Sequence, residues 1–293
     1  MKQLVKSFYH VIPFKKEIFT LIKKFYQPSE IVYKHLTFKG IFKVDVEVGN
    51  SFLLHHYGYM IENEIFWCGL KDGWEKQSIG LWSQLCLRSE YILDLGANTG
   101  IFSLIAKATN PNSKVYAFEP VQRVFDKLKQ NVSINSYDVI CVDKAVSNFD
   151  GKAKIYDTNA EHILSVTVNY NYLDPSVKVE EVEIETITLN KFIKDNNIPR
   201  IDLMKIDVET HEPETLEGFS DYLSIFRPAM LIEILNNEIG ARVEKLVNGL
   251  GYLYFNIDEN NGIQQTEHIV KSDYYNYLLC DERTARALNL FIL

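Results

Sequence analysis

The chain has 293 residues, 46% hydrophobic, 13% aromatic and 24% charged, a balance that excludes a disordered or fibrous protein and allows one large domain with an appended lobe. Its 31 basic side chains face 39 acidic ones, a net charge of −8, which argues against nucleic acid as the main partner. Cys68, Cys86, Cys141 and Cys280 lack metal-ligand spacing and read as reduced thiols of a cytoplasmic protein; no apolar run approaches the roughly 18–20 residues of a membrane span, and no secretory signal pattern opens the chain.

Residues 1–27 hold six lysines and a single acid, Glu17. Ile18, Ile22, Phe25 and Tyr26 fall at i, i+4, i+7 and i+8, which predicts an amphipathic helix, with Pro13 dividing the segment into two short ones. Such a helix packs on the main domain or, as the sharper alternative, lies on a membrane surface near a lipid-linked substrate. FKVDVEV (42–48), FLLHHY (52–57) and MIENEIF (60–66) predict a small antiparallel meander, and Trp74 to Leu87 a helix.

From residue 91 strand and helix alternate. YILDL (91–95), KVYAFE (114–119), VICVD (139–143), the run from Ile201 to Val208, and AMLIEI (229–234) read as strands; 100–108, 120–135, 212–223 and 236–249 read as helices. YLYFNI (252–257) and YYNYLLCD (274–281) close the chain as an antiparallel pair, and AKIYD (153–157) with KVEEVEIETI (178–187) forms an inserted hairpin. Residues 1–85 are thus a cap, and 86–293 a sheet domain with inserted strands around 151–190. The cap and the 155–185 stretch are expected to wall an acceptor site. Their aromatics Phe66, Trp67, Trp74, Tyr170 and Tyr172 are able to stack on a sugar but read as core residues, and none is assigned to the site.

Open parallel sheets bind ligands at the carboxyl ends of their strands. Asp94-Leu95-Gly96-Ala97-Asn98-Thr99-Gly100 falls there, and its glycines allow close backbone approach. The spacing is not the dinucleotide G-x-G-x-x-G, and Asp94 ahead of the loop disfavours a pyrophosphate. An acid there suits a cation such as S-adenosylmethionine, which carries an ammonium and a sulfonium and no phosphate. Glu119, 25 residues on at the end of the second strand, can accept hydrogen bonds from both ribose hydroxyls; Asp143, after the third, reads equally as an adenine acceptor or a turn residue.

YILDLGANTG, VYAFEP, KAVSNFDG (144–151), LMKIDVETHEPETLEGF (203–219) and RPAMLIEI (227–234), with IFWCGLKDGWEKQSI (65–79) upstream, resemble the FkbM-type family of S-adenosylmethionine-dependent methyltransferases over roughly residues 60–280. That family commonly has glycine where Thr210 stands. The resemblance implies an α/β class I methyltransferase (Rossmann-like) fold: a mostly parallel seven-stranded sheet with an antiparallel C-terminal hairpin and a small N-terminal α+β cap. It also implies methyl transfer to a hydroxyl of a sugar, glycan or natural product. Asp94, Gly96, Ala97, Asn98, Gly100, Glu119 and Asp143 are then the expected cofactor residues.

An alcohol acceptor needs a base or a metal to take up or weaken its proton. Alternation along an extended strand would send Lys205, Asp207 and Glu209 to one side, beside the expected methyl position. His211 is a candidate general base, held by Asp207 or Glu209, or one of those acids is itself the base. Against this, His211 reads as a cap or packing residue, Glu212 as a helix N-terminal acid before Pro213, and Lys205 as an ion-pair partner. Asp207, Glu209 and Glu233 are compatible with Mg²⁺, the rival mechanism. Two other classes stand beside the methyltransferase: a nicotinamide-dependent oxidoreductase, against which the missing dinucleotide fingerprint counts, and a non-catalytic cofactor-binding scaffold.

Overall fold

The computed structural model describes residues 13–47, 50–158 and 179–290. Its centre is a sheet containing the seven expected strands: β3 (Tyr91–Leu95), β4 (Lys114–Phe118), β5 (Ile140–Val142), β9 (Leu203–Ile206), β10 (Ala229–Glu233), β11 (Leu253–Asp258) and β13 (Asn276–Cys280). An eighth, β12 (Gly262–Thr266), pairs with β11 at the edge. Its sequence, GIQQT, is too polar to announce a strand. The order is β12-β11-β13-β10-β9-β3-β4-β5, parallel from β10 to β5, with β13 antiparallel to both its neighbours.

Every residue of β3 and β9 is buried, as a parallel sheet covered on both faces requires. Alternation divides them: Ile92 and Leu203 join a core shared with the cap, whereas Leu93, Leu95, Met204 and Ile206 join the core under the opposite helices. The chain leaves β3 toward β4 on one side and returns as β9 on the other. This switch point opens a crevice at the carboxyl ends of β3 and β9.

The cap departs from the expected meander. β1 (Gly40–Asp45) and β2 (Ser51–His56) form the predicted hairpin, but Met60–Cys68 is a helix. Ile61 and Ile65 are one turn apart, and Glu62 with Asn63, and Ile65 with Phe66 and Trp67, are buried as adjacent residues, a pattern that an alternating strand would not show. The helix expected over 212–223 is two, Glu212–Glu217 and Ser220–Phe226, parted where Gly218 packs against the Ser147 carbonyl. The inserted hairpin, β7 (Gly151–Thr158) and β8 (Val179–Ile187), joins β6 (Ala145–Val146) in a separate three-stranded sheet. Tyr170 and Tyr172 lie outside the described residues.

The N-terminal helix runs from Lys15 to Phe25, and the part of the segment before Pro13 lies outside the described residues. Its anchor is Phe19, with Ile22 at the margin; Ile18, Phe25 and Tyr26 of the expected apolar face point to solvent. Among the described residues no helix is long and apolar enough to cross a membrane.

Candidate active site

A cavity of about 570 Å³ lies at the carboxyl ends of β3, β4, β9 and β10, closed from above by the cap. The sheet contributes Gly96 to Thr99, Glu119, Asp207 to Glu209, His211 and Glu233; the cap contributes His35, Tyr59, Met60, Glu62, Trp74 and Glu75. Of the cap aromatics, Trp74 lines the cavity, whereas Phe66 and Trp67 are core.

The glycine loop is built by backbone contacts. Gly96 has φ +78°, and a Cβ there would lie 1.8 Å from the Asp207 carbonyl oxygen, so only glycine fits. Asn98, at φ +50°, donates its amide to Glu119 Oε2 at 3.0 Å, and Val121 N–H donates to Oε1 at 2.9 Å. Two amides therefore orient Glu119 at the cavity wall. Ala97 also lines the wall, and Gly100, at φ +93°, caps helix Ile101–Thr109 behind it. Asp94 is buried beneath the loop, accepts a hydrogen bond from Ser103 Oγ at 2.6 Å, and does not line the cavity. Asp143 is exposed and also lies off the cavity wall, which Lys144 and Ala145 reach instead.

The turn after β9 brings the acids together, but not by alternation. The strand ends at Ile206, and Glu209 and Thr210 both take left-handed backbone, with φ of +55° and +73°. Glu212 holds this turn: buried completely, its Oε1 accepts the amides of Val208 and Thr210, both at 3.3 Å. Glu212 is thus a buried brace rather than only an acid favoured by its helix. Lys205, almost fully buried, donates to Asp207 Oδ2 at 2.9 Å and sits 5.0 Å from the centre of the Phe102 ring. Oxygens of Asp207, Glu209 and Glu233 lie within 4.8 Å of one another.

His211 is not held by Asp207 or Glu209, as expected from sequence. Its Nε2 is 3.0 Å from Ser147 Oγ, and its Nδ1 is 3.7 Å from Glu214 Oε2. The ring still reaches the cavity.

Two acids missed in sequence complete the wall. Glu62 is almost fully buried on helix Met60–Cys68, 3.5 Å from Thr99 Oγ1, and its Oε2 has no partner. Glu75, the left-handed N-cap of helix Lys76–Cys86, also has an unpartnered Oε2. Reading MIENEIF as a strand hid Glu62; GWEKQSI carried Glu75 within a recognised stretch but gave it no role.

The cavity is crowded with carboxyl groups that burial holds toward their protonated forms. Burial pushes Glu62, Glu75 and Glu119 up to about 7. Burial, then the Asp207 charge, pushes Glu209 up to about 8; burial is also the main cause that raises Glu212 to about 8 and Glu233 further. For Lys205 burial works against the charge, but Asp207, Glu75 and Glu233 outweigh it and raise its proton affinity. Burial lowers that of His211. A cationic ligand would favour the ionised forms of these acids, so the cavity suits one.

The sheet order, the reversed β13 and the glycine loop at the switch point define the class I methyltransferase fold. The chain belongs to the FkbM methyltransferase family: the methyltransferase FkbM domain matches residues 94–254, more than half of its length. Over 193 residues it is 28% identical to methyltransferase sdnD of Sordaria araneosa, covering 55% of this chain and 73% of that protein. It is 29% identical over 156 residues to 31-O-demethyl-FK506 methyltransferase FkbM of Streptomyces tacrolimicus, covering 45% and 60%. With the hexuronic acid methyltransferase AglP of Haloferax volcanii the identity is 25% over 153 residues, covering 51% and 58%. Two of these three matches span less than two thirds of the relative's length. Among solved structures, an S-adenosylmethionine-dependent methyltransferase from Agrobacterium tumefaciens aligns with TM-score 0.45 and 11% identity over 84% of this chain and 71% of that one. Membership of this methyltransferase family implies S-adenosylmethionine as the cofactor.

Proposed function

We propose that the protein methylates a hydroxyl oxygen of a sugar or natural-product acceptor, with S-adenosylmethionine as donor. The observation that carries this reading is a single cavity joining the glycine loop to an excess of buried carboxylates around Asp207. The relatives named for FK506 and hexuronic acid methylation support the acceptor class. When bound, the donor supplies a methyl group already activated by its sulfonium, so the protein's task is alignment, exclusion of water and removal of one proton.

Glu119, fixed by the Asn98 and Val121 amides, is set to accept hydrogen bonds from the ribose hydroxyls. Glu62 and Glu75 offer unpartnered oxygens to cationic groups. Glu209 is the base: its raised proton affinity, about 8, suits it to take the acceptor's hydroxyl proton near neutral pH. Asp207, tied to Lys205, is the fixed charge beside it. His211, engaged by Ser147 and held low in proton affinity, stays neutral and shapes the acceptor side.

Calorimetric titration with S-adenosylhomocysteine tests the donor half. Wild type is expected to bind, and Glu119→Ala to lose about 1–3 kcal/mol. No binding by well-folded wild type would return the oxidoreductase reading; binding with no turnover on any hydroxylated acceptor would favour the scaffold. The grouping of Asp207, Glu209 and Glu233 oxygens favours a second reading, in which Mg²⁺ weakens the acceptor's O–H bond. Its oxygen donors fit that ion, although Lys205 already neutralises Asp207. Activity unchanged by EDTA would eliminate the metal.

A further inference from the structure

The N-terminal helix touches the cap along only part of its circumference. Phe19 packs with its ring centre 5.6 Å from that of Trp67, and Lys23 donates to the Phe66 carbonyl. On another face Ile18, Leu21 and Phe25, at i, i+3 and i+7, fall within an arc of about 60° and are 42%, 58% and 84% exposed. Phe14 at the N-cap, 74% exposed, extends the row. Beyond the helix, Tyr26, Ile31 and Val32 are exposed as well.

The same stretch reverses the charge of the molecule. Residues 13–39 contain six lysines and two acids, in a chain whose net charge is −8. Lys24, Lys34 and Lys39 are exposed.

We propose that this face docks on an anionic phospholipid bilayer. An apolar row flanked by lysines fits the boundary between acyl chains and acidic headgroups: the rings and branched chains enter the boundary, and the long lysine stems reach the headgroups. A second copy of the chain is a poorer occupant, because it would set lysines against lysines; left bare, so continuous an apolar row is unusual on a soluble surface. Lys34 and His35, directly after the short helix Glu30–Tyr33, line the rim of the cavity, so the docked bilayer lies beside its entrance. Docking is a property of this face and stands whatever the acceptor is.

Flotation of the full chain with vesicles tests the proposal. The protein is expected to rise with vesicles of equal parts phosphatidylcholine and phosphatidylglycerol, to stay down with phosphatidylcholine alone, and to release as salt is raised. The double variant Leu21→Ser/Phe25→Ser should lose about tenfold in bound fraction. Its circular dichroism and melting temperature should match wild type, because both side chains are exposed and Phe19 is kept. Wild type that stays down with the anionic vesicles would overturn the proposal, as would a double variant that floats like wild type. A wild-type dimer that the double variant dissociates, without vesicle binding, would also overturn it and make the face a contact between copies.

Discussion

The loop after β3 and the turn after β9 face one cavity but are specified by different physics. In the loop the conformation is set by glycine: Gly96 and Gly100 adopt positive φ, and at Gly96 no side chain fits. In the turn the same left-handed backbone is adopted by Glu209 and Thr210, and the strain is held by the buried Glu212 carboxylate on two amides. The loop uses residues adjacent in sequence. The turn gathers acids from Glu75 and Glu233, which lie elsewhere along the chain. A glycine loop can therefore be written locally, whereas the cluster of acids opposite it has to be assembled by the fold.

Gly96→Ala attacks the loop side of this contrast most directly. The new Cβ meets backbone oxygen rather than a flexible side chain, so a loss of about 3–5 kcal/mol is expected in denaturant unfolding. A near-neutral result would show that the loop is not fixed by glycine sterics. Glu209→Gln addresses the turn: kcat should fall about 10²-fold or more, while affinity for S-adenosylhomocysteine holds and the melting temperature near neutral pH stays level or rises, because the buried acid is gone. An equal fall in affinity and kcat would move Glu209 from the reaction to donor binding.

The pH dependence of stability separates the two regions less sharply. Unfolded glutamates release their protons near their ordinary value of 4.5, whereas Glu62, Glu75 and Glu119 keep theirs to about 7 and Glu209 and Glu212 to about 8. Between those limits the native state binds more protons than the unfolded one, so the ligand-free protein loses stability as pH rises from about 4.5 to about 8. His211, lowered by burial, works the other way, below the ordinary histidine value of about 6.5. Melting temperatures across this range should decline toward high pH, and the decline should shrink with the cationic donor bound. A rise instead would mean the cavity acids are not held protonated by burial. The smallest effect is expected at Thr210→Gly, which relieves a β-branched residue at φ +73° and should add about 1 kcal/mol to stability, provided the turn keeps its shape.

The strands and the glycine loop were legible because their signals are local: apolar runs of four to six residues, glycines at a strand end, an acid one strand later. Asp94 was legible as a partner of the loop but not as a buried one, since the sequence does not say that Ser103 reaches back to it. Met60–Cys68 was misread because the β-rich segments just before it lent their character to a helix buried over most of its surface. Glu62 was lost with it. Glu209 was grouped with the correct acids for an incorrect reason: alternation had ended at Ile206, and a left-handed turn carried its carboxylate to Asp207 and Glu233. His211 could not be assigned its partner from sequence, because Ser147 comes from another strand connection altogether.

The contact between Gly96 and the Asp207 carbonyl has a mechanical consequence. With the Asp207 amide also donating to Leu95 at 3.0 Å, the two halves of the cavity share one rigid hinge-free seam. The spacing between the glycine loop and the turn that carries Asp207 then works as a fixed gauge, set by backbone thickness rather than by side chains that can rearrange. In this protein the cap and the inserted strands could then change without altering the separation between the two sides of the cavity.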